Sequence, residues 1–201
     1  MMGMCKNFPF EILLAGDYKQ ALGLIDRKNH PLEAAYACFL AGQLIESEAI
    51  IKNLDSTRAN WLKNLVALIK TGEMPSPTYF QIRSFLELDI DLLIRAQKVN
   101  YLEKIFSYAE ILTDINNETY KLIARVLFNN NLISLAKYYF DLYKDVLFYD
   151  PELHFMYAKY YILKHEYENA LSSINHCLYA MPKYFPALKL RDEIVSLMNE
   201  K

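Results

Sequence analysis

Residues 117–150 and 151–184 match each other at a shift of 34 residues. Four apolar pairs coincide under this shift: Ala124 with Ala158, Leu127 with Tyr161, Ala136 with Ala170, and Phe140 with Ile174. Self-similarity at a fixed period of this length is typical of chains built from stacked supersecondary units. Each 34-residue stretch is long enough for two short helices and a turn, so the sequence predicts repeated helix pairs.

Apolar residues along the rest of the chain recur at spacings of three and four, which is the period of an amphipathic helix. Short polar breaks separate these runs, at residues 28–31, 55–56, 71–77, 114–117, 129–131, 150–151 and 181–186. Asp150 precedes Pro151, which combines a helix N-cap residue with a proline suited to a first helical turn. The break at 74–77 delays the next helix to about Thr78. The sequence therefore predicts an all-α fold.

Small residues recur at one place on each predicted helix of the two regular repeats. Ala158 and Ala170 occupy this place in the second repeat. Two antiparallel helices approach closely where they cross, and a small side chain at that point lets larger neighbours fill the flanking space. We therefore expect these alanines at the helix crossings.

The repeat at 151–184 resembles the tetratricopeptide repeat (TPR) family. The residues that match the family pattern are Tyr157, Ala158, Tyr161, Tyr167, Ala170, Ile174 and Pro182, while His154 and His165 replace its leading Trp and turn Gly. The turn position recurs at residues 16, 42, 72, 97, 131 and 165, with irregular spacing before residue 117. The resemblance implies a right-handed superhelix of antiparallel helix pairs. It gives one domain over 1–201, with irregular repeats in 1–116, regular repeats in 117–150 and 151–184, and a capping helix at 185–200 that covers the last repeat.

The composition excludes several classes of protein. The chain has 201 residues with a formal charge of −2 and no basic run, which argues against nucleic acid as a partner. No apolar run approaches the roughly 20 residues that cross a bilayer, so we expect no membrane partner. Cys5, Cys38 and Cys177 are odd in number and far apart, which suggests a cytoplasmic protein without disulfides, or a nuclear one in a eukaryote.

No catalytic set is recognisable in the sequence. Glycine is absent after Gly72, which rules out a glycine-rich phosphate loop in the remaining chain. The four histidines lack the partner one helical turn away that a helical metal site needs, so we expect no metal, no cofactor and no enzyme activity. The alternation of Glu87, Asp89 and Asp91 indicates a solvated face or a helix cap; the alternative is that one of these acids faces a groove and meets a basic partner.

In TPR proteins the first helix of each pair lines a concave groove that holds a peptide or helix of a partner. The resemblance places eight residues of this sequence in that groove: Tyr36, Phe39, Ile69, Lys121, Arg125, Phe128, Lys159 and Ile162. The early part of this set is apolar and the later part is largely basic. The resemblance therefore implies a protein segment with an apolar end and an acidic end.

Tyrosine is concentrated in the second half, where 13 of the 16 tyrosines lie from Tyr101 onward. Because tyrosine is favoured at contact surfaces, this bias indicates either a homodimer through the C-terminal half or an aromatic-rich core. The sequence thus predicts a non-enzymatic interaction module, an adaptor or scaffold. Alternatives within this class are a TPR chaperone of a secretion system and a subunit of a large assembly such as the anaphase-promoting complex, and a helical-repeat RNA binder is the alternative from another class.

Overall fold

The computed structural model describes residue 13 and residues 17–200, and every regular element among them is a helix. The helices are α1 Tyr18–Leu24, α2 Pro31–Ala41, α3 Leu44–Ile51, α4 Thr57–Thr71, α5 Tyr79–Arg95, α6 Val99–Ser107, α7 Ala109–Ile115, α8 Thr119–Asn129, α9 Ile133–Val146, α10 Pro151–Leu163, α11 Tyr167–Ala180 and α12 Phe185–Asn199. No strand occurs in this part of the chain, so the all-α prediction is confirmed for it. Cys5 and the turn position at Gly16 lie outside the described residues.

The chain divides into two compact units, Met1–Thr119 and Tyr120–Lys201. The first unit holds α1 to α7. The second unit begins at the second residue of α8 and continues to α12.

One turn geometry joins the two helices of four pairs, α2 with α3, α5 with α6, α8 with α9, and α10 with α11. A left-handed residue ends the first helix of each pair: Gly42 (φ 86°), Gln97 (φ 54°), Asn131 (φ 60°) and His165 (φ 58°). The N–H of the next residue then donates a 2.9 Å hydrogen bond to the carbonyl five residues earlier: Gln43 to Cys38, Lys98 to Leu93, Leu132 to Leu127, and Glu166 to Tyr161. This is the Schellman pattern, which satisfies carbonyls that a helix end leaves open.

The left-handed residues coincide with the turn positions expected from the sequence. Together with Gly72 (φ 87°) after α4, they are all the positive-φ residues of the described chain. The turn positions 42, 72, 97, 131 and 165 are therefore confirmed as turns.

Small buried residues lie twelve positions apart across three of these turns. Ala124 and Ala136 are fully buried in the second unit, as are Ala158 and Ala170. In the first unit, Ser47 takes the corresponding place, and its hydroxyl donates a 2.9 Å hydrogen bond to the Ala35 carbonyl. Only a short side chain can make this bond to the backbone of the neighbouring helix, so the two helices approach closely there.

Side-chain caps fix the helix starts that the sequence indicated. The Asp150 carboxylate accepts from the Glu152 N–H at 2.8 Å and caps α10. Thr78 and Gln81 form a reciprocal capping box at the start of α5. Both predicted starts are confirmed.

The last helix packs over the preceding pair in the second unit. Ala187 and Ile194 of α12 join a buried cluster with Ala158, Ala170 and Ile174. α12 thereby covers an apolar face that α10 and α11 would otherwise expose to water.

Candidate functional site

A pocket of about 340 Å³ opens between three helices of the first unit. Its lining residues come from α2, α4 and α5: Leu32, Glu33, Tyr36, Arg58, Phe85 and Leu88. Tyr36 is one of the groove residues expected from the sequence. It is almost fully buried, so it contributes a wall of the pocket rather than a protruding side chain.

A buried carboxylate holds the side chains beside this pocket. Asp89 on α5 is 1% exposed. Its oxygens accept hydrogen bonds from Arg58 Nη2 at 2.6 Å, from Trp61 Nε1 at 2.6 Å and from the Tyr36 hydroxyl at 3.3 Å. These donors come from α2 and α4, so one carboxylate fixes three helices of the first unit to one another.

The guanidinium of Arg58 lies between two aromatic rings. Its Cζ is 4.6 Å from the ring centroid of Tyr36 and 4.6 Å from that of Phe85. Arg58 Nη1 is buried without a hydrogen-bond partner. The aromatic ring faces therefore contact this side of the guanidinium. The stack holds the two aromatic walls of the pocket in place.

Burial and charge act in opposite directions on this cluster. Burial raises the pKa of Asp89 above its usual value and outweighs the Arg58 guanidinium and the hydrogen bonds from Trp61 and Tyr36, which lower it. For Tyr36, burial and the negative charge of Asp89 both raise the pKa, well above the usual value. The phenol therefore keeps its proton and donates to the carboxylate.

The open part of the pocket is mainly apolar. Leu32 and Phe85 are half-buried, and Leu88 is 52% exposed at its mouth. Apart from Arg58, which Asp89 neutralises, Glu33 is the charged residue of the lining. A pocket of this kind is suited to an apolar side chain, with a polar group placed at its edge.

The other two expected groove residues of the first unit are in the core. Phe39 and Ile69 are buried, and the Phe39 ring packs at 5.1 Å from that of Tyr101. Neither lines the pocket. Phe39 and Ile69 therefore face inward in this unit.

In the second unit, two of the three expected basic residues are paired with acids of the chain itself. Lys121 is buried, and its Nζ lies 2.8 Å from Asp150 and 3.3 Å from Glu152. Arg125 forms an ion pair with Glu152. Burial alone would raise the pKa of Asp150, but hydrogen bonds from Lys121 and Tyr143 outweigh it and hold that pKa below its usual value. The charges of Lys121 and Arg125 are thus largely neutralised before any partner arrives.

The remaining expected groove residues lie on α8 and α10. Lys159 Nζ is 5.6 Å from the ring centroid of Phe128 and 5.6 Å from that of Phe155. Phe128 is buried, and the half-buried Ile162 packs against the core cluster. The structure therefore brings Phe128 and Lys159 together, and it separately links Lys121 and Arg125 through Glu152.

The interpretation of Asp89 as part of a solvated face or as a cap is wrong. Asp89 follows Leu86 by three residues and precedes Leu93 by four, and both leucines are fully buried. Helical periodicity thus places the acid on the apolar stripe of α5. An acid at such a position requires a buried partner, which is a signal that the sequence did contain.

A stacked histidine pair also escaped the sequence reasoning. The rings of His154 and His176 lie 5.2 Å apart at an angle of 23°, and His154 Nε2 donates to the Phe148 carbonyl at 2.8 Å. Burial lowers the pKa of His154, and the neighbouring His176 lowers it further, against the opposing effect of this hydrogen bond. The two residues are 22 positions apart, so no spacing rule for a single helix would pair them.

The tyrosines of the second half divide between core and surface. Tyr139, Tyr143 and Tyr157 are buried, whereas Tyr149 is 85% and Tyr179 is 91% exposed. The Tyr143 hydroxyl donates to Asp150 at 2.6 Å, and that of Tyr157 donates to Asp141 at 2.7 Å. The aromatic-rich core therefore accounts for the buried tyrosines but not for the exposed ones.

The described cysteines are buried and free, at Cys38 and Cys177. Burial raises the pKa of Cys177 to about 11 and also raises that of Cys38. Both are therefore protonated at neutral pH and are poor nucleophiles. Within residues 17–200, no cluster of three or more His, Cys, Asp or Glu side chains is arranged to hold a metal ion.

None of the helices described above combines the length and the apolar character needed to span a bilayer. No protein-family model matches the sequence, and neither a curated protein nor a solved structure matches it.

Proposed function

We propose that this chain is a non-enzymatic, TPR-like interaction module that binds a segment of a partner protein on the surface of its first helices. The observation that carries the proposal is the repetition of one helix-pair geometry, with the same left-handed turn and the same 2.9 Å hydrogen bond at positions 42, 97, 131 and 165. Repeats of one helix pair present the same helix to one side each time, which is the arrangement by which repeat proteins build extended binding surfaces.

The pocket on α2, α4 and α5 supports a binding role for the first unit. It is concave, mainly apolar and held in place by the Asp89 hydrogen bonds. Because its walls are already ordered, a partner side chain would bind without the cost of ordering them.

The buried thiols support the non-enzymatic part of the proposal. The thiols of Cys38 and Cys177 are both protonated at neutral pH, so neither is prepared as a nucleophile. Together with the odd number of cysteines in the sequence, the free state of Cys38 and Cys177 also fits the proposed cytoplasmic location.

The expectation of an acidic end on the partner is not carried into this proposal. Lys121 and Arg125 already bind Asp150 and Glu152, so an incoming carboxylate would have to displace an intramolecular one. Such an exchange gains little because it replaces one ion pair by another.

The test is a reconstituted complex. The tagged full chain is used to capture proteins from cells that express it, and each candidate is then purified and titrated against the chain. We expect at least one protein to bind directly, and a salt-resistant affinity would agree with a mainly apolar contact. If none of the purified candidates binds, the proposal is wrong.

The same titration distinguishes the alternatives. Tight, salt-sensitive binding of single-stranded RNA would favour the helical-repeat RNA binder. An exported protein as partner would identify a secretion chaperone, and a multi-subunit complex would identify an assembly subunit. Sedimentation of the chain alone tests the homodimer, for which exposed Tyr138, Tyr149 and Tyr179 offer contact area.

A further inference from the structure

We propose that the pocket of the first unit binds an apolar side chain of the partner together with an adjacent lysine or arginine, which pairs with Glu33. This inference rests on the proposed function, and it adds the chemistry of the segment that is recognised.

The apolar part of the proposal follows from the lining. Leu32 from α2, together with Phe85 and Leu88 from α5, surrounds a space of about 340 Å³ that is open to solvent at Leu88. An apolar side chain inserted there is removed from water, which is the main source of favourable free energy at such a site.

The charge of the pocket determines the second part. The positive charge of Arg58 is neutralised by Asp89 at 2.6 Å. Within the described chain, no ion pair neutralises Glu33, which is half-buried in the pocket lining. The net charge of the pocket lining is therefore negative, which favours binding of a cation and disfavours binding of an acid.

The aromatic walls direct that cation to Glu33. The Arg58 guanidinium already covers one face of Tyr36 and one face of Phe85. Tyr36 is also nearly fully buried, so its ring offers no open face to a ligand ammonium group. A carboxylate at the edge of an apolar pocket then remains as the group that pairs with the cation.

A peptide-display selection on the full-length chain tests this specificity. We expect the enriched peptides to share a Leu, Met or Phe with a Lys or Arg within four residues. A synthetic peptide of this sequence should lose at least tenfold in affinity to Leu88→Asp, since the acid is placed at the mouth of an apolar pocket. Glu33→Gln should weaken the same peptide several-fold, and Glu33→Lys should shift the selection toward Asp and Glu beside the apolar residue.

Glu46 provides the matched control. Glu33 and Glu46 are each the third residue of their helix, α2 and α3, where an acid also interacts with the helix dipole. Glu46 does not line the pocket. Glu46→Lys should therefore leave both the selected sequences and the affinity unchanged, whereas a purely structural role for Glu33 would make the two variants alike.

The outcomes separate this proposal from the proposed function. Enriched peptides whose affinity survives Leu88→Asp, in a variant with unchanged helical circular dichroism, would overturn the pocket while leaving an interaction module. A charge preference that is the same in Glu33→Lys would overturn the role of Glu33. A selection that enriches no peptide, combined with a partner protein that binds equally to wild type and Leu88→Asp, would again remove the pocket but keep the module.

Discussion

Trp61 Nε1 donates a 2.6 Å hydrogen bond to the Asp89 carboxylate, which also binds Arg58 at 2.6 Å. Replacing Asp89 with alanine leaves a largely buried guanidinium without its counter-ion. Breaking a buried ion pair in this way costs about 3–5 kcal/mol of unfolding free energy. Urea denaturation of Asp89→Ala should show this loss.

The control for this variant is Glu48→Ala. Glu48 pairs with Lys70 at 2.5 Å, but its side chain is about half exposed. Removing an exposed pair costs about 0–1 kcal/mol. Equal losses in the two variants would mean that Asp89 does not organise the first unit.

The left-handed turns predict that replacing glycine with alanine at a turn lowers the stability, and that introducing glycine at a turn raises it. Gly42 has φ 86°, and an added Cβ would meet nothing closer than the Tyr101 hydroxyl at 3.9 Å. Gly42→Ala should therefore destabilise by about 1–2 kcal/mol through backbone strain alone. Gln97→Gly, at φ 54°, should stabilise by about 1 kcal/mol because it relieves the same strain.

Gly23 lies within α1, without a left-handed backbone and with open space around it. Gly23→Ala should stabilise by about 0.5–1 kcal/mol, since glycine is the weaker helix former. Thermal melts of the three variants give the comparison, and a stabilising Gly42→Ala would refute the turn geometry.

His154 should make the stability of the chain depend on pH below neutrality. Its folded-state pKa lies below 6.5 because burial disfavours the charged ring. As the pH falls from about 7 to 5, the unfolded state takes up the proton first, so the free energy of unfolding falls. Denaturation midpoints at pH 7.5 and pH 5.5 measure this effect.

The decrease in unfolding free energy between pH 7.5 and pH 5.5 should be smaller in His154→Gln, which has no titrating ring at this position. His165→Asn, which removes an exposed histidine from a left-handed position that asparagine tolerates, is the control for replacing a histidine. Identical pH profiles for His154→Gln and the wild type would assign the effect to other groups.

The alanine at the start of α11 should not accept a larger side chain. Ala170 is fully buried against the cluster that contains Ala158. Ala170→Leu should destabilise by about 1–3 kcal/mol because the added atoms force the helices apart. Asn175→Leu on the exposed face of α11 is the control and should change the melting temperature little.

The helices and their turns could be predicted because their signals lie in residues that are close together in the sequence. The small residues and the turn positions recur in the sequence at intervals set by the helix pair, so Ala158, Ala170 and the turn at His165 could be located without coordinates. The cap at Asp150 was equally visible because Asp followed by Pro has a local physical meaning.

The candidate site was only partly predictable. Tyr36 was expected at a binding surface. The burial of its neighbour Asp89 could be read from helical periodicity, but its partners Trp61 and Arg58, 28 and 31 positions earlier, could not. The break at Tyr108 between α6 and α7 likewise has no glycine or proline signal. Long-range pairings of this kind depend on how helices pack, and a single sequence records that only indirectly.

Asp150 does more than begin α10. Its two oxygens receive the Glu152 backbone, the Tyr143 hydroxyl of α9 and the Lys121 ammonium of α8. Neighbouring repeats in a stacked array can in general melt one after another, since each depends mainly on its immediate contacts. Here the α8–α9 pair shares the Asp150 carboxylate with the following pair. Unfolding of α8 and α9 would remove the Lys121 and Tyr143 hydrogen bonds from this carboxylate and destabilise the start of α10. The second unit should therefore unfold in a single cooperative step.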